Sequence, residues 1–62
     1  MQSHRYRIEY FRNGDCIGTA ISAGTLEATQ QAARVGMAER KVDLVYIIDE
    51  ATGVTIFVER RS

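Results

Sequence analysis

The sequence predicts a small α+β domain, a four-stranded and mainly antiparallel sheet with one helix packed on one face, in the order ββαββ. Three observations carry this. Alternation of period two runs through His4–Phe11 and returns in two later segments; Asn13-Gly14 interrupts it like a hairpin turn; and an alanine-rich stretch between Thr25 and Arg40 has helical spacing. The 62 residues make one domain, with strands at about 4–12, 15–22, 42–49 and 53–60 and the helix at about 25–40.

In the first strand Tyr6, Ile8 and Tyr10 point one way, and Arg5, Arg7 and Glu9 the other. Asn13 and Gly14 both tolerate the positive φ of a type I′ turn. Arg12 then faces Asp15, and the pairs Tyr10–Ile17, Ile8–Thr19 and Tyr6–Ile21 fall on one face. Gly18, opposite Glu9 in this register, marks a twist or a bulge.

Thr25 is the expected helix N-cap, with Glu27 in the positive first turn and Arg40 and Lys41 at the negative end. Glu27, Gln30, Gln31, Arg34 and Lys41 share the polar side. Ala28, Thr29, Ala32, Ala33 and Gly36, flanked by Leu26, Val35 and Met37, share the other. So small a face predicts close approach of helix to sheet.

Two more strands follow, joined through Asp49–Gly53, with Gly53 as the left-handed residue of the turn. In the expected register Ile48 faces Ile56 and Tyr46 faces Val58. Leu44, Tyr46, Ile48, Val54, Ile56 and Val58 then face the helix, and Val45, Ile47 and Phe57 lie on the reverse. A helical crossover sets strand 3 parallel to strand 2, so strand 1 can pair with strand 3 in the order 2-1-3-4.

A chain of this length buries only ~60% of its unfolded surface and usually gains stability from disulfides, a metal or a partner. Cys16 is the only cysteine, which excludes an internal disulfide, and with the single His4 it cannot fill a zinc shell. A partner subunit is the remaining device. Net charge is zero, from eight Lys/Arg and eight Asp/Glu, so no overall basic excess attracts phosphates. No apolar run suits a membrane span, and with no signal-peptide core at the start and a lone thiol, a cytoplasmic location is expected.

No catalytic residue, metal site or cofactor is predicted. His4 and Glu9 read as a surface histidine and a solvated charge, and Cys16, with no base nearby, as a half-buried residue facing Phe11. Asp15, Asp43, Asp49 and Glu50 lack metal-ligand spacing, and the glycines form no phosphate loop. Tyr6, Tyr10 and Tyr46 read as core residues with hydroxyls at the rim.

The apolar reverse face of the second hairpin points to a non-enzymatic interaction module, a homodimer or small subunit, with Phe11, Val45, Ile47 and Phe57 as its interface. The alternative is a nucleic-acid-binding regulator using Arg5, Arg7 and Arg12 beside Phe11 and Phe57, although Glu9 and Glu59 cancel part of that charge.

The succession Tyr6–Phe11, Asn13-Gly14, Thr25-Leu26-Glu27-Ala28…Ala32-Ala33-Arg34, Leu44–Ile48 and Gly53–Val58 resembles the very short bacterial ββαββ domains of unknown function. More distantly it is similar to antitoxin domains of the HicB type, without the extra strand and separate DNA-binding tail usual there. The resemblance spans nearly the whole chain. It implies a fold and a bacterial source, an antitoxin-like regulator being the functional alternative, and it brings no site residue with it.

Overall fold

The computed structural model describes residues 4–61. Strands β1 (His4–Arg12) and β2 (Asp15–Gly24) precede helix α1 (Leu26–Arg40), and β3 (Leu44–Asp49) and β4 (Thr55–Arg60) follow it. One sheet has the order β2-β1-β3-β4, with every neighbouring pair antiparallel. The expected architecture and strand order are both present.

The first turn forms where expected, with Asn13 at φ 52° and Gly14 at φ 85°, and Arg12 pairs with Asp15. The register beyond it is different. Phe11 still pairs with Cys16, but Tyr10 pairs with Gly18, Ile8 with Ala20 and Tyr6 with Ser22, because the ladder shifts between Tyr10 and Phe11. One extra residue in β2, Ile17, is accommodated there as a bulge, and such an insertion inverts every later side chain. Gly18, Ala20 and Ser22 therefore face the helix, and Ile17, Thr19 and Ile21 face away.

That inversion suits the helix. Thr25 caps it, its hydroxyl accepting from the Ala28 N–H at 3.1 Å. Fully buried Thr29 donates from Oγ1 to the Thr25 carbonyl at 3.0 Å, so the Ser22 hydroxyl, 2.9 Å from Thr29 Oγ1, donates to it. A small polar residue on the facing strand completes this relay; an isoleucine there would leave Thr29 unpaired on that side. At the other end Lys41 adopts a left-handed cap at φ 55°, and the Val42 N–H donates to the Met37 carbonyl at 3.2 Å.

The core lies between α1 and the inner sheet face: Tyr6, Ile8, Tyr10, Ala33, Met37, Val42, Val45 and Ile47, with Ala20, Leu26 and Phe57 packed against it. Val45 and Ile47 have no measurable exposure. The two faces of β3 and β4 are thus the reverse of the expected assignment. The reason is local. Buried Val42 precedes β3, and the chain bends through Asp43, so Val42 and Val45 both point inward at an odd spacing. Alternation counted from Val42 is then one residue out of phase. The helix is also rotated from its expected phase: Thr29, Ala33, Gly36 and Met37 are buried, while Ala28, Ala32 and Val35 are exposed.

Candidate interaction surface

The face of the sheet opposite α1 is covered by no described element. Its cross-strand rows follow from the registers. Cys16, Phe11, Leu44 and Arg60 form one row; Thr19, Glu9, Tyr46 and Val58 the next; Ile21, Arg7, Ile48 and Thr55 the third. Ile17 and Ile21 on one edge strand, and Ile56 and Val58 on the other, are between 40% and 57% exposed. Phe11 and Tyr46 meet between them as a tilted pair, with ring centroids 5.0 Å apart and planes inclined at 50°.

A short charged line crosses the middle. Arg7 Nη1 donates to Glu50 Oε2 at 3.1 Å, and Arg7 Nε lies 3.2 Å from Glu9 Oε2. The second contact is a charge pair without hydrogen-bond alignment, and Nε is buried with no partner. Ile48 beneath this line is only 4% exposed although it faces away from the helix; its cross-strand neighbour is Arg7, whose methylene stem suits that cover.

Of the residues expected at the interface, Phe11 is on this face and half-buried. Val45 and Ile47 are buried in the core, and Phe57 packs against it from the helix side. The apolar open face is therefore built from a different set: Ile17, Ile21, Leu44, Tyr46, Ile56 and Val58. Gly18, next to the bulge that turns Ile17 and Ile21 outward, was the sequence signal for those two residues alone. Tyr46 leaves the core with them, while Tyr6 and Tyr10 stay in it at 7% and 3% exposure.

The three arginines of the nucleic-acid reading do not converge. Arg7 is held by Glu9 and Glu50. Arg12 turns to the C-terminal end of α1, where Nε donates to the Lys41 carbonyl at 3.3 Å and Nη2 to the Arg40 carbonyl. Arg5 alone remains open on the sheet face, at the end opposite Arg60. Cys16 is exposed and not half-buried as expected, with Sγ 3.7 Å from the Gly18 carbonyl. His4 stacks on Tyr6 at 5.7 Å.

A second surface feature runs along α1. Its β4 flank carries Arg34, paired with Glu59 at 3.2 Å. Its β2 flank carries exposed Ala28, Ala32 and Val35 above a groove of about 490 Å³ that reaches Tyr10 and Gly36. Arg40 closes one end, its guanidinium 4.6 Å from the Tyr10 ring centroid. Among the described residues no three His, Cys, Asp or Glu side chains gather to hold a metal ion, and no helix is long and apolar enough to cross a membrane. No protein-family model, curated protein or solved structure matches this chain.

Proposed function

We propose that this chain is a non-enzymatic interaction module that self-associates through the open face of its sheet. The observation that carries the reading is the set Ile17, Ile21, Ile56 and Val58, 40% to 57% exposed on a face that no described element covers. Two apolar strips on the edge strands flank the Arg7 line, roughly 14 Å apart by strand spacing. A dyad parallel to the strands sets the Ile17/Ile21 strip of one copy over the Ile56/Val58 strip of the other, as sheets stack in a sandwich. The face measures roughly 400 Å², half the ~800 Å² per partner of a standard interface, so a dissociation constant in the micromolar range is expected. Arg7 enters such an interface already neutralised by two carboxylates, which limits the cost of removing it from water.

Sedimentation equilibrium between ~10 and ~500 μM tests this, since mass action makes a micromolar dimer visible over that span. Wild type shifts from monomer to dimer. Val58→Glu stays folded, because the helix-side core is untouched, and stays monomeric. An ideal wild-type monomer across the whole range removes the proposal.

A further inference from the structure

The two edges of the sheet are unlike. Natural proteins shield exposed strand edges with short strands, charges, proline or bulges, because unpaired N–H and C=O groups invite another strand. β4 is shielded in this way: it has six residues, carries Glu59 and Arg60, and its ladder shifts beside Ile47/Ile48. β2 is not. It has ten residues, its only charge is Asp15 at the hairpin end, and the chain contains no proline. Its bulge at Ile17 lies near the turn and leaves Gly18–Ala23 regular and free of charge, up to Gly24 at φ 129°.

We infer that β2 is a pairing edge for a second copy of this chain, the two strands running antiparallel about a dyad at Ile21. The occupant follows from the pattern of that strand. Facing residues of an antiparallel pair share a side of the sheet, so this register sets Ile21 against the partner copy's Ile21 and Thr19 against its Ala23 on the open face. On the helix side it sets Ala20 against Ser22 and Gly18 against Gly24. β-Branched residues meet at the centre, small residues lie under the helices, and no charge opposes a like charge. The outcome is one continuous sheet with both helices on the same side. Each helix then turns its β2 flank towards the dyad, with Ala28, Ala32 and Val35 along it and Glu39 and Arg40 at its C-terminal end. This pairing uses the backbone edge and not the sheet face, so it stands independently of the face-to-face association proposed above.

The test is site-directed cross-linking in a Cys16→Ser background. Ile21→Cys places two thiols across the dyad at a Cα separation of about 4.5–5.5 Å, inside the range a disulfide spans. Stacked sheets lie ~10 Å apart, beyond that range, so face-to-face association does not produce the bond. With mild oxidant, Ile21→Cys is expected to give a covalent dimer at least tenfold faster than Glu27→Cys on the exposed helix start, and addition of Val58→Glu leaves that rate unchanged. Equal rates for the two cysteines, or loss of the cross-link on adding Val58→Glu, overturn the inference. Charge supplies a second readout. Ile21→Glu sits across from Arg7 within its own chain and keeps the fold, yet opposes its own copy across the dyad. Ile21→Glu and Ile21→Lys are each expected to lose the edge dimer and to regain it when mixed. A mixture no more associated than either component alone overturns the inference as well.

Discussion

Gly36 is where the helix comes closest to the sheet. A Cβ at this position would lie 2.7 Å from Tyr10 Cζ and closer still to its hydroxyl, and the Arg40 guanidinium lies over the ring, 4.6 Å from its centroid. Glycine in a helix interior costs ~1 kcal/mol against alanine, so propensity alone says that Gly36→Ala stabilises. The geometry says the reverse. The Tyr10 ring, only 3% exposed, must shift, and a net loss of ~1–3 kcal/mol is expected, read from urea unfolding midpoints at constant slope. A midpoint higher than wild type would show that the ring yields freely. Thr29 is the other decisive single residue. Its hydroxyl relay from Ser22 to the Thr25 carbonyl is the polar bond under the helix start, and it accounts for a threonine at a fully buried site.

At the scale of elements, the helix phase has a direct check. Ala33 is 1% exposed against the sheet, whereas Ala32 faces out. Ala33→Leu should overpack and lower stability by ~1–3 kcal/mol, and Ala32→Leu should change it by less than ~0.5 kcal/mol. Thermal melts of the pair decide between this phase and one that buries both. The order of the elements, the type I′ turn, the Thr25 cap and the strand order were legible in the chain because each rests on local chemistry or on the crossover rule, whereas β3 and β4 each begin two residues later than expected, at Leu44 and Thr55. The facing of β2, β3 and β4 was not legible. A period of two specifies alternation but not its phase when both faces are apolar, as they are from Leu44 to Ile48. The single-residue insertion at Ile17 and the bend after Val42 each invert a strand at no visible cost to the pattern. Of the expected set only Phe11 lies on the open apolar face, while Val45, Ile47 and Phe57 turn to the helix. Val45 and Ile47 traded places with Tyr46 and Val58.

For the whole molecule, the central position of β1 sets the order in which contacts can form. Each hairpin closes over a short turn, but β1 meets β3 only by bringing together the two hairpins that the helix separates in sequence: Tyr6 pairs with Asp49 and Phe11 with Leu44. Non-local pairing of this kind slows folding, because loop entropy is lost before the contacts reward it. The β1–β3 seam is thus the expected transition state, with the hairpins formed before it. Ile8→Val, in the middle of that seam opposite Ile47, should slow refolding about two- to threefold in stopped-flow experiments, in line with a loss of ~1 kcal/mol half expressed at the barrier. An unchanged refolding rate with faster unfolding would place the seam after the barrier. Until the seam closes, Tyr6, Ile8 and Tyr10 on one hairpin and Val45 and Ile47 on the other are open to any passing chain. The yield of refolding, and not only its speed, should therefore fall as the concentration of unfolded chain rises.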